Sequence, residues 1–374
     1  MHSFALLADS SGEYAAKALG MNGLWRKDNG KDRASSRGSV QRGDGDAATG
    51  MNKVDNSKSA PAHVLTVDVE DYFQVEAFAD QVSRADWERF PRRVDANTRR
   101  VLDLFDEHDA KGTFFIVGWV ADKLPALVRE IQARGHELAC HSYWHRTIYS
   151  LSPEEFREDT RRAKLAIENA AGVAVTGYRA PSWSITKDCM WALQVLAEEG
   201  FTYDSSIYPI HHDLYGVPGA RRFPYTFAWD NGMKLREYPP ATLRFMGTNL
   251  PVAGGGYLRI FPTAYNELAF RVFEKEPSQR VVVYLHPWEI DPEQPRIAGK
   301  LKSRLRHYTQ LKNMSRKVGR LLERHRFQRF CDVVAADEAL DVVHGKSANP
   351  VTMLPSMPAK AERGAGDVRD EVVV

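Results

Sequence analysis

The sequence predicts an α/β protein with a mainly parallel β-sheet. From residue 62 to residue 204, short apolar segments rich in β-branched residues alternate with amphipathic segments at helical spacing. Strands separated by helices in this way are typical of parallel βαβ units. A chain of 374 residues, 43% of them hydrophobic and 27% charged, has the length and composition to bury a large core.

Glycine and capping signals set the limits of the elements in the first half of the chain. Gly135, Gly172 and Gly200 each follow an amphipathic segment, where a glycine readily ends a helix. The stretch Ser152-Pro153-Glu154-Glu155 combines a capping box with a proline at the first helical position. The predicted strands are 63–69, 113–117, 137–142, 175–178 and 201–204, and the predicted helices are 95–109, 125–133, 153–171 and 186–199.

The alternation of strands and helices breaks after residue 204. Asn231-Gly232, within 227–237, predicts a β-hairpin. Gly254-Gly255-Gly256 predicts a loop that is either mobile or closely packed. The alternation then returns with a helix at 263–274, a strand at 280–285, a basic helical stretch at 298–325 and a last strand at 330–334.

We expect one folded domain, 61–340, between two disordered tails, 1–60 and 341–374. The first tail is rich in Gly, Ser, Asp, Asn, Lys and Arg, so it cannot bury enough apolar surface to offset its ordering entropy. Met51 lies shortly before the first strand, and a start codon assigned too far upstream would explain this tail. An interaction arm is the alternative interpretation.

Charge and cysteine content exclude several classes of protein. With 51 basic and 49 acidic residues, the net charge is +2, so the sequence shows no basic footprint for nucleic acid. It contains no apolar run long enough to span a membrane, and its N-terminal apolar segment is too short for a secretory signal. Three widely spaced cysteines, Cys140, Cys189 and Cys331, favour a reducing compartment. We expect a cytoplasmic protein without a membrane span, and nothing indicates its oligomeric state.

Polar side chains cluster where the predicted buried strands end. The four clusters are Asp68 with Glu70 and Asp71, His141 with His145, Arg179 with Trp183, and His286. In a parallel α/β barrel, the carboxyl ends of the strands converge on one mouth, where the chemistry lies. The common position of these clusters predicts a single site more strongly than any one motif does.

The chemistry that the clusters indicate is metal-assisted hydrolysis. Two imidazoles and a carboxylate suit Zn²⁺ and related ions, which acidify water and polarise a carbonyl group. A second carboxylate would serve as general base and a histidine opposite it as general acid. Each residue also has a structural interpretation: Asp68 as a cap, Arg179 as an ordinary ion-pair partner, and the histidines as packed side chains.

The motifs resemble those of the polysaccharide deacetylases of the NodB-homology type, the family-four carbohydrate esterases. The resemblance covers residues 62–335, and its motifs are Thr66-Val67-Asp68, His141-Ser142-x-x-His145, Arg179-x-Pro181-x-Trp183 and Leu285-His286. Asp68-Val69-Glu70-Asp71-Tyr72-Phe73 and His307-Tyr308 resemble the branch found in exosortase-associated exopolysaccharide loci. The resemblance implies a distorted (β/α) barrel with fewer than eight full units. It also implies metal-dependent removal of acetyl groups from N-acetylated sugars.

The resemblance also implies roles for individual residues. Asp68 would be the general base, His286 the general acid, and Arg179 the residue that orients Asp68. His141 and His145 would bind the metal, with zinc expected first and cobalt or nickel as alternatives. Asp204, at the end of its strand, would orient His286.

The acidic metal ligand is the point where this sequence departs from the family pattern. The family has two adjacent aspartates, whereas here Val69 follows Asp68. Strand alternation places Glu70 on the same face as Asp68, so Glu70 is the first candidate and Asp71 the second.

Three functions are consistent with these motifs. The main hypothesis is an N-deacetylase that acts on an N-acetylated polysaccharide or oligosaccharide, either an exopolysaccharide or its precursor. The second is a hydrolase of small non-peptide C–N bonds in cyclic amides or ureides. The third is a non-catalytic carbohydrate-binding relative, although a binding protein would not need base, ligands and acid together.

Overall fold

A mostly parallel β-sheet with surrounding helices organises the chain, which confirms the predicted α/β class. The structure, a computed structural model, describes residues 62–252, 254–275, 280–344, 349–354 and 357. The predicted disordered tail 1–60 lies outside these residues. The strands are β1 (His63–Val69), β2 (Thr113–Ile116), β3 (Glu137–Cys140), β4 (Gly177–Tyr178), β5 (Tyr203–Asp204), β6 (Tyr225–Ala228), β7 (Lys234–Glu237), β8 (Thr242–Phe245), β9 (Thr248–Pro251), β10 (Val282–Leu285), β11 (Phe327–Gln328) and β12 (Val351–Met353).

Ten α-helices are present in the described part of the chain, joined by short 3₁₀ turns. They are α1 (Val94–Glu107), α2 (Gly118–Lys123), α3 (Pro125–Ala133), α4 (Pro153–Ala171), α5 (Trp191–Glu198), α6 (Gly255–Ile260), α7 (Thr263–Phe273), α8 (Leu301–Tyr308), α9 (Leu311–Arg324) and α10 (Phe330–His344). The capping box predicted at Ser152 and Glu155 is formed, and Gly172 ends α4 in the left-handed conformation at φ 73°. None of these helices has the length and apolar content needed to cross a membrane.

The strand order places β1 between β10 and β2, in the half of the sheet that carries the polar clusters. The order is β10-β1-β2-β3-β4-β5-β7-β6-β12, with β11 paired to the start of β1. Every pair in it is parallel except β6–β7, the predicted hairpin. Among the described residues no strand pairing closes the sheet, although one bridge joins Gly254 to Tyr284 of β10. The ends of β1, β3, β4 and β10 therefore lie at the same edge of the sheet.

Gly254-Gly255-Gly256 was predicted to form a loop that is either mobile or closely packed, and the structure shows close packing. A Cβ atom on Gly254 would lie 1.8 Å from the ring of Tyr284, so a larger residue would not fit there. Gly255 has a φ of 45° at the start of α6. The segment lies flat on the aromatic ring at the edge of β10.

The predicted strand at 330–334 is wrong, because these residues begin α10. Phe330, Val333, Val334 and Asp337 are buried at helical spacing. The ring of Phe330 packs against Phe115, Tyr203 and Tyr238, which fill the space below the sheet. A short apolar run does not by itself distinguish a strand from a buried helical turn.

The predicted tail 341–374 is corrected in its first part. α10 continues to His344, and residues 351–353 form β12 along β6. The amide of Thr226 donates to the carbonyl of Pro350, which covers backbone groups of an edge strand that would otherwise lack partners. Residues 358–374 lie outside the described part.

Candidate active site and metal centre

Four strand ends bring the predicted polar side chains together at one edge of the sheet. The residues that meet are Asp68, Glu70, His141, His145, Arg179 and His286. All except His286 are at most 3% exposed. His286 Nε2 lies 3.9 Å from Asp68 Oδ2 and 3.6 Å from Glu70 Oε1. Asp204 and Asp71 do not belong to this cluster.

Glu70, His141 and His145 form a group that suits a metal ion. One potential ligand atom from each lies within 4.8 Å of the other two. His141 Nδ1 lies 2.8 Å from the carbonyl oxygen of Arg179, which can only accept, so Nδ1 carries the proton. That tautomer leaves Nε2 unprotonated, the form in which an imidazole binds a metal.

The charges of Glu70 and His141 match those of metal ligands. Burial by itself raises the pKa of Glu70, but the neighbouring His145, His286 and His141 outweigh it and hold that pKa well below its ordinary value. Burial lowers the pKa of His141 to about 4, so this ring is neutral near pH 7. Glu70 Oε2 lies 2.6 Å from His145 Nε2 but has no hydrogen-bond partner of acceptable geometry among the described residues. An anionic Glu70 and a neutral His141 fit Zn²⁺ or a similar divalent ion.

Asp71 has a structural role instead of the ligand role that we left open. Its Oδ2 accepts from the amides of Arg93 and Val94 at 2.8 and 3.0 Å, and its Oδ1 accepts from Tyr72 at 2.9 Å. The carboxylate therefore satisfies amides at the start of α1. Because both oxygens are occupied, the structure favours Glu70 over Asp71 as the acidic ligand.

The loop that carries the two histidines is held by Asp159 on α4. Ser142 and His145 have φ angles of 63° and 50°, which are unfavourable for side chains with a Cβ. Asp159 Oδ2 accepts from Ser142 Oγ at 2.6 Å and from the amide of Tyr143 at 2.8 Å, and its Oδ1 accepts from the amide of Trp144 at 3.1 Å. We did not identify Asp159 from the sequence. The sequence feature that could have identified Asp159 is its position as a carboxylate on the apolar face of an amphipathic helix.

Replacing Asp159 with Ala is expected to loosen the metal site without removing any ligand. Three donors then lose a charged acceptor, which costs about 3 kcal/mol of folding free energy, and metal affinity falls by about tenfold to a hundredfold. Denaturant unfolding and competition with a chromogenic chelator measure the two effects. Glu158→Ala, an exposed change on the same helix, is the control. Unchanged metal affinity in Asp159→Ala would contradict this role for the loop.

Arg179 holds Asp68 in a fully buried ion pair. Its Nη1 lies 2.6 Å from Asp68 Oδ1 and also donates to Thr66 Oγ1 at 2.8 Å. Nε and Nη2 donate to the carbonyl and the hydroxyl of Ser205. The guanidinium also lies over the ring of Phe115, 4.1 Å from its centroid. Asp68 therefore has one oxygen fixed by Arg179 and the other directed towards His286.

Asp204 supports the Arg179 strand end and does not orient His286, so that prediction is wrong. Asp204 and Glu237 occupy paired positions on the neighbouring strands β5 and β7. Burial raises the pKa of both carboxyl groups. Asp204 Oδ1 accepts from Ser206 Oγ, which accepts from the amide of Ala180.

The acidic partner of His286 is Glu289, three residues further along the chain. Glu289 Oε2 lies 3.1 Å from His286 Nδ1 and accepts from the His286 amide at 2.9 Å. Burial alone would lower the pKa of His286, but Glu289, Glu70 and Asp68 raise it to about 9. The sequence signal was present in His286-Pro287-Trp288-Glu289, which has the spacing of a capping box.

The aromatic residues beside the motifs are mostly packed. Trp183 and Trp288 are buried, and so is Tyr143, whereas Trp144 is half-buried. Trp183 contacts the rings of Tyr208 and Tyr284. The burial of these side chains indicates that they pack against the protein instead of stacking on sugar rings.

Two family models together match most of the described chain. Residues 86–203 match the model described as polysaccharide deacetylase, and residues 205–335 match a model described as a domain of unknown function (DUF3473). The first contains both histidines of the metal cluster and Arg179. The second contains His286, whereas Asp68 and Glu70 precede both.

Comparisons with curated proteins agree with the first model. A peptidoglycan-N-acetylglucosamine deacetylase of Bacillus cereus is 30% identical over 98 residues, which are 26% of this chain and 36% of that protein. A chitooligosaccharide deacetylase of a Bradyrhizobium species is 33% identical over 94 residues, which are 25% of this chain and 43% of that protein. The chain thus spans less than half the length of these curated relatives.

One solved structure has the same fold. The crystal structure of a Mycobacterium smegmatis protein assigned as a polysaccharide deacetylase matches with a TM-score of 0.50 and 21% identity. The match covers 84% of this chain and 98% of that one. At this identity the match establishes the α/β fold and nothing finer.

Proposed function

We propose that this chain, whose residues 86–203 match the polysaccharide deacetylase model, is a metal-dependent hydrolase that removes N-acetyl groups from the sugars of an exopolysaccharide or its precursor. One observation carries the proposal. A carboxylate held by a buried arginine and an imidazole held by a buried glutamate face each other beside a group of Glu70, His141 and His145. Binding alone does not require an acid and a base placed opposite each other.

Glu70, His141 and His145 would hold the ion. The chemistry that a bound divalent ion supplies is Lewis acidity towards the carbonyl oxygen of an amide. The chain's own residues manage the protons. Asp68, with one oxygen free of Arg179, accepts a proton from the water that attacks the carbonyl carbon. Its other oxygen stays paired with Arg179, which keeps the carboxylate oriented.

His286 is placed to complete the reaction from the other side. Its Nε2 points to the space that Asp68 and Glu70 also border. As the C–N bond breaks, Nε2 gives its proton to the departing nitrogen, which leaves as the amine of the sugar. The products are acetate and the free amino sugar. The proton that Asp68 took returns to solvent.

Acetate release from N-acetylglucosamine oligomers tests the proposed function. Protein stripped by a chelator is compared with protein reloaded with Zn²⁺, Co²⁺ or Ni²⁺. We expect release that depends on the added ion and increases with oligomer length. Hydrolysis of a cyclic ureide with no acetate release would favour the small-molecule hydrolase. Oligomer binding without hydrolysis under every metal condition would favour a carbohydrate-binding relative and would overturn the proposal.

A further inference from the structure

The side chains that hold His286 lie in the part of the chain that matches a family model of unknown function. His286, Glu289 and Arg259 all lie within residues 205–335. We propose that Arg259 and Glu289 are positioning residues that fix the tautomer and direction of the His286 ring. This segment thereby supplies the proton-donating half of the site. The inference rests on the proposed function for its chemistry, but its geometry can be tested separately.

Glu289 holds His286 with one carboxylate oxygen and pairs with Arg259 through the other. Oε2 accepts from the His286 amide at 2.9 Å and lies 3.1 Å from Nδ1. Oε1 accepts from Arg259 Nε at 2.6 Å. An ionised carboxylate can only accept, so Nδ1 must carry a proton. Nε2 is then the ring nitrogen that exchanges protons with the site.

Arg259 fixes Glu289 to the end of a helix. Its Nη1 donates to the carbonyls of His307 and Thr309 at 2.9 and 2.7 Å, and its Nη2 donates to the carbonyl of Arg306 at 3.0 Å. These carbonyls belong to the last turn of α8 and the residue after it, which otherwise lack helical partners. The negative end of the helix dipole also favours the cation there.

Two aromatic contacts restrict the His286 ring further. Trp288 stacks between His286 and His307, with centroid distances of 5.1 and 4.0 Å and interplanar angles of 19° and 15°. Trp288 Nε1 donates to Glu70 Oε1 at 3.1 Å, so the same side chain touches both the histidine and the metal cluster. His307 is held by Gln294, whose Oε1 lies 2.7 Å from its Nε2.

A contribution to folding stability does not by itself explain why Arg259 and Glu289 form a buried ion pair. Arg259 is 2% exposed and Glu289 is fully buried. Removing two charges from water costs free energy that their attraction often does not recover, and apolar residues would stabilise such a position as well or better. An apolar pair could not impose a tautomer on His286. The planar guanidinium of Arg259 donates to Glu289 and to three carbonyl oxygens at once, which explains why this position holds an arginine.

Steady-state kinetics of the zinc-loaded full chain tests the inference through Glu289→Gln and Arg259→Lys. A glutamine has one acceptor oxygen, so it loses either the contact to His286 or the contact to Arg259. A lysine keeps the charge but cannot reach Glu289 and the helix carbonyls together. We expect kcat to fall by about tenfold to a hundredfold in either variant, with KM changed by less than about twofold because ground-state binding is untouched.

Arg236→Lys is the matched control, because Arg236 pairs with Asp341 at 2.6 Å on a different part of the sheet. A purely structural role predicts that Arg259→Lys and Arg236→Lys both lower the melting temperature without lowering kcat of the folded protein. That result would overturn the inference. A drop in kcat confined to the Arg259 and Glu289 variants would support it.

The ring nitrogens of His286 provide a readout that needs no activity. In ¹⁵N spectra of the zinc-loaded protein, we expect His286 to show a protonated Nδ1, and Glu289→Gln to change its ring-nitrogen shifts while those of His136 stay constant. An inactive wild type would overturn the proposed function but leave this measurement decisive for the inference. Unchanged His286 shifts in both variants would overturn the positioning role, even in an active enzyme.

Discussion

Replacing Asp68 with Asn is expected to abolish hydrolysis while the protein keeps its fold and its metal. The asparagine side chain retains the shape of the aspartate but cannot accept a proton from water. The loss of a general base lowers kcat by about 10²- to 10⁴-fold. Because Asp68 lies outside the group of Glu70, His141 and His145, the metal content should stay at the wild-type value. Acetate release and metal analysis of the same preparation measure both effects.

Asp71→Asn is the control for this prediction, since it changes a carboxylate three residues away in the same motif. Its oxygens satisfy amides at the start of α1, so we expect lower thermal stability with kcat of the folded protein retained. Acetate release by Asp68→Asn at the wild-type rate would refute the role of Asp68. Metal lost from Asp71→Asn, with metal kept by a Glu70→Gln variant, would reverse our choice of acidic ligand.

Replacing His141 or His145 with Ala is expected to remove the metal and, with it, the activity. Either change leaves two protein ligands, fewer than the three that a catalytic zinc site ordinarily has. Both side chains are buried beside Glu70, so the change also leaves a cavity next to that carboxylate. Metal content after dialysis and acetate release should fall together in both variants.

His325→Ala is the matched control, because the described part of the chain holds a second group of potential ligands in His63, Glu274 and His325. We do not expect this group to bind metal. His63 Nδ1 accepts from the amide of Val281 at 3.1 Å, so its Nε2 carries the proton and has no lone pair to offer. Retention of the metal by His141→Ala and its loss from His325→Ala would place the ion in the second group and sink the proposed site.

The sequence predicted most elements because their signals are local. The strand at 63–69, the helix at 125–133 and the helix at 153–171 have the predicted bounds, since apolar periodicity, proline and capping residues lie within the elements themselves. Residues 330–334 show the limit of such signals. Their apolar run is consistent with a strand, and only the rings of Phe115, Tyr203 and Tyr238 around Phe330 show why it is a helix.

The sequence by itself determined the α/β class and the grouping of Asp68, His141, His145, Arg179 and His286 at strand ends, because parallel strands bring equivalent ends together. Only the tertiary structure favoured Glu70 over Asp71, showed Glu289 instead of Asp204 beside His286, and showed Asp159 bonded to the histidine loop. The physical reason is the same each time. The role of a buried carboxylate depends on which donors come within about 3 Å of its oxygens, and those donors come from distant parts of the chain.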